Sequence, residues 1–420
     1  MIEPVLARGQ QMPATIPQQK ADLDEEKTSL ITGSEAIAVA CKLADVDVIT
    51  GYPIRPYDTV MQYIAKLVSN GEMDCEYIIA EGEHSQFEVV KHASACGARV
   101  FCGSSGVGWM YAMEALTVTP ALRIPMVAMV GNRALDDPGA FGVEHNDALA
   151  VRDLGWQLVW VDNAQEALDT ALIAYKVAED RRVFLPCAIS CDGAFLTHSQ
   201  AMVKVPTQAK VDAFLPRYDR GDLLLHPDNP ITVAPQANED WLMEIRRQTA
   251  AGMDRAPGVI REAYAQFEKI FGRSYGNPFF EEYLTDDADV VLIGMGTLSN
   301  PVRVAIRQMR SEGKRVGFVR MRWFRPFAAE ELAQSLSRFK AVGVIDRDFS
   351  LGAPFSSGVL ATEVRAALAE SAVRPKVLAF ICGLGGREVT LPDVRKMTAC
   401  VYDAAAGKPQ PPTQWIGLRE

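Results

Sequence analysis

The sequence lacks the closely spaced cysteine clusters that bind iron–sulfur centres or structural zinc. Its eight cysteines are scattered over 420 residues. The closest pair, Cys187 and Cys191, comes without further ligands of the right type and is weak evidence for a metal. We therefore predict free, mostly buried thiols and no metal site in this chain. Any electron-transfer metal that the protein needs is expected on another chain.

Features of nucleic-acid-binding, membrane and secreted proteins are missing as well. No basic stripe is present and the net charge is −10, so nucleic acid is not expected as a partner. No apolar run is long enough to cross a bilayer, and no charged-then-apolar secretory pattern opens the chain. With 48% hydrophobic and 23% charged residues, the sequence predicts an ordinary globular protein of the cytoplasm.

A complete dinucleotide-binding fingerprint is also absent. Gly294-Met-Gly296 follows an apolar run, as the Gly-x-Gly-x-x-Gly pattern requires, but residue 299 is serine. No acidic residue is well placed after the next predicted strand. The sequence therefore does not favour a nucleotide site at this turn.

Alternating strand and helix patterns predict two α/β units. An extended arm at residues 1–27, suited to wrapping a partner subunit, precedes a parallel-sheet unit at residues 28–200. Proline-rich residues 201–257 predict a linker or surface excursion. A second α/β unit follows at residues 258–405, and residues 406–420 form a tail. The predicted helices cover residues 33–43, 59–68, 84–96, 165–179, 259–270, 301–310, 328–336 and 359–368. The predicted strands cover residues 46–50, 77–80, 99–102, 126–130, 157–161, 183–190, 290–294, 314–321, 341–346 and 377–381.

The loop Gly51-Tyr-Pro-Ile-Arg-Pro56 places a permanent cation on a stiff connection between a strand and a helix. Each proline fixes its own φ and restricts the residue before it. Open α/β sheets bind ligands at this edge, where the planar guanidinium of Arg55 suits a carboxylate or phosphate. A solvent-exposed arginine in a turn is the alternative interpretation.

Two further loops connect a strand to a helix in the same way. Glu81 and Glu83 stand at the start of a predicted helix, where one carboxylate can cap the free amides and the other can face a ligand. The segment 103–108, which includes Ser105 and Gly106, consists mostly of small residues that let a ligand or another subunit approach the backbone. Three consecutive strand ends with such loops favour a ligand site at this edge.

A fourth loop, residues 131–147, follows the next predicted strand and carries Arg133 and Asp136. Arg133 and Arg55 are predicted to bind one anionic substrate together through charge-assisted contacts, and Asp136 is a further candidate for substrate binding. The alternative is a solvated surface loop with internal ion pairs.

These motifs together resemble the α subunit of the 2-oxoacid:acceptor oxidoreductases, the thiamine-diphosphate family of pyruvate:ferredoxin oxidoreductase. The resemblance covers residues 28–401. It rests on the Tyr-Pro-Ile-x-Pro loop at 52–56, the acidic helix start at 81–83, the Ser-Gly-x-Gly turn at 105–108, Arg322-Trp-Phe-Arg-Pro-Phe327 and Gly383-Leu-Gly-Gly-Arg-Glu-Val-Thr390. It implies a thiamine-diphosphate pyrimidine-binding parallel-sheet domain followed by a transketolase C-terminal-like α/β domain.

The resemblance also implies roles for individual residues. Glu83 would be the catalytic glutamate that hydrogen-bonds the pyrimidine ring, with Glu81 as the alternative; this role needs a carboxylic acid shielded from water. Arg133 would bind the substrate carboxylate. A partner β subunit would hold the diphosphate and Mg²⁺ of the cofactor. The other residues expected to contact thiamine diphosphate are Tyr52, Pro53, Ile54, Ser105 and Gly106.

One position departs from the pyruvate enzymes, which usually carry threonine where Arg55 stands. The Tyr-Pro-Ile-Arg-Pro-Tyr form and the loop at 133–139 instead resemble the phenylglyoxylate dehydrogenases and oxalate oxidoreductases. Oxalate would use both arginines for its two carboxylates, whereas phenylglyoxylate has one carboxylate and a ring that needs an apolar wall. The candidates for that wall are Tyr57, Trp109, Met110 and Phe141.

The N-terminal arm and the turn around Trp109 favour the acylating phenylglyoxylate dehydrogenases, with oxalate oxidoreductase second. The favoured reaction converts phenylglyoxylate, coenzyme A and NAD⁺ to benzoyl-CoA, CO₂ and NADH. Iron–sulfur clusters, FAD and NAD are then expected on the β, γ and iron–sulfur or flavoprotein subunits of a hetero-oligomeric complex. A non-catalytic interaction subunit with a vestigial pocket is the alternative from another class.

Overall fold

The structure is a computed structural model that describes residues 26–136 and 138–419. The arm expected at residues 1–27 lies almost wholly outside the described residues, and the first strand begins at Lys27. Among the described residues, no helix combines the length and the apolar character that a membrane span requires. The eight cysteines are all free and five of them are buried, as predicted.

The secondary structure alternates strands and helices along most of the described chain. The strands are β1 (Lys27–Thr32), β2 (Val48–Gly51), β3 (Glu76–Ile79), β4 (Val100–Ser104), β5 (Val127–Asn132), β6 (Gln157–Trp160), β7 (Cys187–Asp192), β8 (Gln200–Val205), β9 (Phe280–Tyr283), β10 (Val290–Met295), β11 (Val316–Met321), β12 (Trp323–Arg325), β13 (Ala341–Asp346), β14 (Lys376–Ile381) and β15 (Thr413–Trp415). The helices are α1 (Gly33–Leu43), α2 (Asp58–Ser69), α3 (Glu83–Ala95), α4 (Gly106–Tyr111), α5 (Met113–Ala121), α6 (Asn146–Leu149), α7 (Ala164–Ala178), α8 (Gln208–Phe214), α9 (Asn238–Phe271), α10 (Ser299–Ser311), α11 (Ala329–Leu336), α12 (Val359–Leu368) and α13 (Leu391–Ala405).

The first large sheet has seven strands in the order β12-β6-β7-β5-β4-β2-β3. Its strands are parallel except β12, which pairs antiparallel with β6. Strands β5 and β7 are buried along their whole length, because layers of helix cover both faces of a parallel sheet. The strands and helices predicted between residues 28 and 196 are present, with ends shifted by up to four residues.

The second large sheet has six strands in the order β15-β14-β13-β10-β11-β9. Strands β10, β11 and β13 are fully buried, and β9 closes one edge antiparallel to β11. The chain then returns to the first sheet, since β12 follows β11 after a single residue. The two units therefore share a backbone connection that also completes the first sheet.

Two segments expected to be a linker and a tail contain regular secondary structure, and several further elements, among them α13, α5 and β12, have no counterpart among the predicted ones. Residues 201–257 contain most of β8, which pairs with β1, together with α8 and the N-terminal half of α9. Most residues in this part of α9 are exposed and only Gly252 and Ala256 are buried, so no sustained apolar period marks it in the sequence. The predicted tail likewise contributes β15, an edge strand of three residues that is too short to show a period. The division into domains itself stays a prediction.

A buried ion-pair cluster joins α7 to β11 and to Arg322, the residue that links β11 to β12. One carboxylate oxygen of Glu166 accepts hydrogen bonds from Arg320 at 2.7 Å and Arg322 at 2.8 Å, and the other accepts a second bond from Arg320 at 2.7 Å. All three side chains are buried. Although burial alone would raise the pKa of Glu166, Arg320 and Arg322 hold it well below its usual range. The carboxylate is therefore ionised and binds two buried guanidinium groups.

Replacing Glu166 with glutamine should destabilise the protein by about 3–5 kcal/mol, because it removes the buried charge that both guanidinium groups share and leaves them only the longer pairs with Glu281 and Asp162. The measurement is urea-induced unfolding of the wild type and Glu166→Gln. The matched control is Glu262→Gln, which removes an exposed pair with Arg182 and should change stability little.

The pH dependence gives a second measurement of the same contact. A depressed native-state pKa contributes stability that is present above the unfolded pKa of about 4.3 and is lost as pH falls below it. The difference between wild type and Glu166→Gln should therefore shrink in acid, and a difference that grows in acid would contradict this assignment.

Candidate active site

The four loops singled out in the sequence follow β2, β3, β4 and β5 at the carboxyl edge of the first sheet. In the strand order these ends are neighbours. The chain adds β3 on one side of β2 and then β4 and β5 on the other, so the order of the parallel strands reverses between β2 and β4. Open α/β sheets bind their ligands at such a switch point. The fold thus brings the loops that carry Arg55, Glu83, Ser105 and Arg133 to one edge.

Glu83 is the first residue of α3 and is buried, whereas Glu81 is exposed and accepts a hydrogen bond from Ser85 at 2.7 Å. Burial raises the pKa of Glu83 above its ordinary value. The pKa of Glu81 is lowered, chiefly by the bond from Ser85. Of the two glutamates, Glu83 therefore has the properties of a shielded acid that shares its proton with a weak base.

The carboxyl group of Glu83 packs directly on the backbone of α4. A Cβ atom added at Gly108 would lie 2.8 Å from the carboxyl carbon of Glu83 and 2.7 Å from the hydroxyl of Ser104. Only glycine leaves this space. Below the two helices, the ring of Trp109 contacts Phe87 and Trp156 at centroid distances of 5.4 and 5.6 Å. This buried aromatic cluster holds α3 and α4 against each other.

The first and third loops are joined by Ser105, whose hydroxyl accepts a hydrogen bond from the Tyr57 amide at 3.2 Å. Ser105 is fully buried. The remaining cofactor candidates of the first loop lie nearer the surface: Tyr52 and Ile54 are half-buried and Pro53 is exposed. The structure places these predicted cofactor residues along one edge, and their contact with a cofactor stays a prediction.

Arg133 is buried, and its guanidinium is already engaged by the protein. It donates to Asp136 at 2.8 Å and to the backbone carbonyl of Arg55 at 3.2 Å, and its charge lies 4.8 Å from the centre of the Phe141 ring. The Nε atom has no hydrogen-bond partner among the described residues. Asp136 thus binds Arg133, and a carboxylate in that position is a poor ligand for an anionic substrate.

Arg55 differs from Arg133 in both exposure and pairing. Its side chain is 78% exposed, and the nearest carboxylate is that of Asp58 at 3.8 Å. The two arginines predicted to bind one anionic substrate are thus in different states, and their joint contact with a substrate stays a prediction. One guanidinium is neutralised and buried, while the other remains open to solvent at the rim.

The sequence motifs assign no role to several buried polar residues at the same edge. Asp147 accepts hydrogen bonds from the backbone amides of Gly106 at 3.0 Å and Arg133 at 2.9 Å. Asn132 and Asp192 are the last residues of β5 and β7, and Asn132 Oδ1 is buried without a partner among the described residues. Position at the end of a buried strand is the signal that would have singled out Asn132 and Asp192.

The fourth loop also packs against the second unit through a buried charge cluster. Asp192 lies 2.8 Å from the His145 ring nitrogen Nε2 and accepts from the Thr297 amide at 2.9 Å and from Arg347 at 2.8 Å. Burial alone would raise the pKa of Asp192, but His145 and Arg347 lower it below its usual range. Thr297 directly follows Gly296, so a protein carboxylate binds the glycine turn that partly matched a dinucleotide fingerprint.

Three side chains of metal-ligand type, His84, Glu88 and Glu114, lie close together within the described ranges. They are partly or fully exposed, and Lys91 already binds Glu88 at 2.5 Å. Exposed groups with internal ion pairs are common without a metal, so we assign no metal site to them.

The polar groups left at the edge fit the aminopyrimidine of thiamine diphosphate. Glu83 presents a carboxyl group of raised pKa, and Ser104 Oγ is a buried polar atom without a partner in the described part of the chain. Unsatisfied buried polar atoms are rare in native structures and call for an explanation. A ring that both donates and accepts hydrogen bonds would satisfy them.

Comparison with known proteins gives the family. Residues 39–265 match the family described as pyruvate flavodoxin/ferredoxin oxidoreductase, thiamine diphosphate-binding, and residues 288–394 match pyruvate:ferredoxin oxidoreductase core domain II. The chain belongs to the 2-oxoacid:ferredoxin oxidoreductase family as an α-type subunit. The resemblance drawn from the motifs is thereby confirmed at the level of the family.

Relatives of known activity match nearly the whole length of this family member. The pyruvate synthase subunit PorA of Methanocaldococcus jannaschii is 39% identical over 394 residues, covering 94% of this chain and 99% of that protein. The ketoisovalerate oxidoreductase subunit VorA of Pyrococcus horikoshii is 36% identical over 391 residues, covering 93% and 98%. These names support a 2-oxoacid oxidoreductase and do not support phenylglyoxylate, NAD or benzoyl-CoA.

Solved structures agree with the predicted fold class. A 2-oxoglutarate:ferredoxin oxidoreductase from Magnetococcus marinus matches with a TM-score of 0.66 at 16% identity, covering 92% of this chain and 68% of that one. A split-gene transketolase matches with a TM-score of 0.52 at 15% identity, covering 90% and 99%. At this identity the likeness shows the fold alone, a parallel-sheet thiamine-diphosphate-binding domain with transketolase-like relatives.

Glu144 offers a pH-dependent test of how the fourth loop packs on the second unit. One of its oxygens accepts the Gly385 amide at 3.0 Å. Burial, opposed by this bond and reinforced by Asp147, raises the pKa of Glu144 from 4.5 to about 7. A raised native-state pKa contributes stability that is present below the unfolded value and is lost as pH rises through about 7.

Thermal unfolding of wild type and Glu144→Gln between about pH 5 and pH 8 should show this loss in the wild type only. Glutamine keeps the oxygen that binds Gly385 but does not titrate. Parallel pH profiles for the two proteins would contradict the assignment.

Proposed function

We propose that this chain is the catalytic α subunit of a complex that oxidatively decarboxylates phenylglyoxylate. With coenzyme A and NAD⁺ the products are benzoyl-CoA, CO₂ and NADH. The observation that carries the proposal is the buried Glu83 at the carboxyl edge of the first sheet, beside an arginine pair of which one member is already neutralised. The family supplies the reaction class, and the charges of the site support the choice of substrate.

Thiamine diphosphate, when bound, supplies the carbanion that attacks the 2-oxo carbon and stabilises the electron pair left by decarboxylation. In this chain Glu83 would hold a proton at its carboxyl group against the pyrimidine ring. Its shielding from water, maintained by the packing of α4 at Gly108, keeps that proton shared rather than lost. Tyr52, Pro53, Ile54, Ser105 and Gly106 would form the backbone and side-chain wall around the ring.

The local charge favours a substrate with one carboxylate. Arg55 and Arg133 are positive while Asp58 and Asp136 are negative, so these four side chains sum to zero. A dianion such as oxalate would have to displace Asp136 from Arg133. A monoanion needs only the exposed guanidinium of Arg55 and the free Nε of Arg133.

Aromatic side chains near the same loops suit a ring on the substrate. Phe141 is 74% exposed and stacks on Arg133, and Tyr111 is 66% exposed with its ring 3.1 Å from the position of a Cβ on Gly82. Trp109 and Tyr57, which the sequence also suggested for this wall, are fully buried in the core. Exposed aromatic rings at a rim lose water when an apolar ring packs on them, which stabilises binding.

The remaining cofactors belong to the proposal as well. A partner β subunit would close the site and hold the diphosphate and Mg²⁺. Iron–sulfur clusters, FAD and NAD would lie on γ and iron–sulfur or flavoprotein subunits. Two features support this distribution of cofactors among the subunits: the cysteines of this chain are scattered, and the Asp192 carboxylate lies against the Gly296 turn.

The substrate is tested by measuring kcat/KM of the purified complex with phenylglyoxylate, 2-oxoisovalerate, pyruvate and oxalate, using coenzyme A and either NAD⁺ or a viologen dye. Phenylglyoxylate should give the highest value. Replacing Arg55 with methionine should raise the KM for every 2-oxoacid by about 10–100-fold, since a hydrogen bond to a charged group contributes about 1.5–3 kcal/mol. The control is Arg246→Met, on the exposed part of α9.

A higher kcat/KM with pyruvate or 2-oxoisovalerate would place the enzyme with its relatives, and one with oxalate would favour the dicarboxylate alternative. Turnover with the viologen dye but not with NAD⁺ would reject the NAD-linked form of the proposal.

The catalytic glutamate is tested by Glu83→Gln. Glutamine keeps the shape of the side chain but cannot share a titrating proton, so turnover should fall by about 10²–10⁴-fold while the complex still assembles. Glu81→Gln, two residues away and exposed, is the matched control and should retain activity. Loss of activity in the Glu81 variant alone would move the role to Glu81, and full activity in both would favour a non-catalytic subunit.

A further inference from the structure

Asp147 is a fully buried carboxylate whose four acceptor positions are all occupied. One oxygen accepts from the amides of Gly106 at 3.0 Å and Arg133 at 2.9 Å. The other accepts from the Asn132 side chain at 3.0 Å and from the Ala148 amide at 2.7 Å. Four donors around one buried carboxylate make a strong and geometrically specific contact.

The two amides on the shared oxygen belong to different loops. Gly106 begins the helix after β4 and has a φ of +50°, a conformation that glycine adopts without strain. Arg133 opens the loop after β5. Because one oxygen atom binds both amides, Asp147 fixes the separation of the turn expected to contact the cofactor and the arginine expected to bind substrate.

The side chain of Arg133 depends on this backbone anchor. Its guanidinium reaches Asp136 and the carbonyl of Arg55, and a Cβ on Gly106 would lie 3.5 Å from its Cγ and Cδ atoms. The Arg133 stem therefore lies directly against the Gly106 turn. A shift of the Arg133 backbone would move its guanidinium relative to both neighbouring loops.

We propose that Asp147 is a positioning residue for substrate recognition: it holds the Arg133 backbone against the Gly106 turn, so that the Arg133 side chain meets the substrate carboxylate beside the cofactor. The residue does not touch the substrate and acts through Arg133. This inference rests on the proposed function in one respect only, the role of Arg133 in binding a 2-oxoacid carboxylate.

The main test is Asp147→Asn in the purified complex. With the NH₂ group toward Gly106 and Arg133, the two hydrogen bonds that join the loops are lost. With the NH₂ group toward Asn132 and Ala148, the oxygen that stays on Gly106 and Arg133 is no longer charged, so the joint is weakened in both orientations. The KM for the 2-oxoacid should rise by about tenfold or more with a smaller change in kcat, because a ground-state contact is weakened. The 2-oxoacid used is whichever gives the wild-type complex its highest kcat/KM, so a wrong substrate assignment does not affect this test.

The matched control is Asp169→Asn. Asp169 lies on α7, outside the four loops, and is another fully buried carboxylate. It is bound by Arg273 and Tyr275. If Asp147 had only a structural role, both variants should have a lower folded fraction and an unchanged KM. Hydrogen–deuterium exchange adds a readout without turnover: residues 104–111 and 131–147 should exchange faster in Asp147→Asn than in Asp169→Asn.

A double-mutant cycle with Arg133→Met separates positioning from other effects. If Asp147 acts through Arg133, the rise in KM caused by Asp147→Asn should be absent when residue 133 is already methionine. An unchanged KM in Asp147→Asn, or an equal rise in KM with and without the arginine, would overturn the proposal.

Gly106→Ala provides a second route if the Asp147 variant fails to assemble. The added methyl group would lie 3.1 Å from the Ala134 carbonyl and against the Arg133 stem, and the positive φ adds strain. The same rise in KM is expected, and an unchanged KM would overturn the proposal. Failure of the proposed function would show differently, as an absence of 2-oxoacid turnover in the wild type or an unchanged KM in Arg133→Met.

Discussion

Buried carboxylates, each surrounded by several N–H donors, join the segments that the parallel-sheet topology leaves separate. Glu166 connects α7 to the end of β11 through Arg320 and Arg322. Asp147 connects the loops after β4 and β5, and Asp192 connects β7 to the second unit. Backbone amides in the loops at the end of a parallel sheet have no acceptors within the sheet. Burying these amides without acceptors would raise the free energy of the folded state. The carboxylates supply the acceptors.

The site that these carboxylates position has balanced charges at its rim and, at its centre, a carboxyl group whose pKa is raised. Asp136 balances Arg133, Asp58 lies near Arg55, and burial raises the pKa of Glu83. This balance of charges is the basis on which we propose a monoanionic substrate.

Most strands and the four longest helices of the first unit could be predicted because their apolar periods are local. Glu83 could be placed at a helix start after a strand for the same reason. The first part of α9 could not be predicted, since its exposed faces carry no period, and β12 could not, since three residues are too few. The sequence indicates the pairing of Arg133 with Asp136 only as an internal ion pair of a surface loop, although the two residues stand three positions apart.

The sequence by itself determined the family, the order of strands, loops and helices, and the chemical types of the residues in the four loops. These are properties of short segments, read from local spacing and from motifs that stay together in the chain. The tertiary structure decided which charges are neutralised, which glutamate is buried and which carboxylate joins the loops. Such contacts form between residues far apart in the chain, 155 positions in the case of Asp192 and Arg347 and 241 in the case of Glu144 and Gly385, and no local pattern records the partner that a folded chain brings into reach.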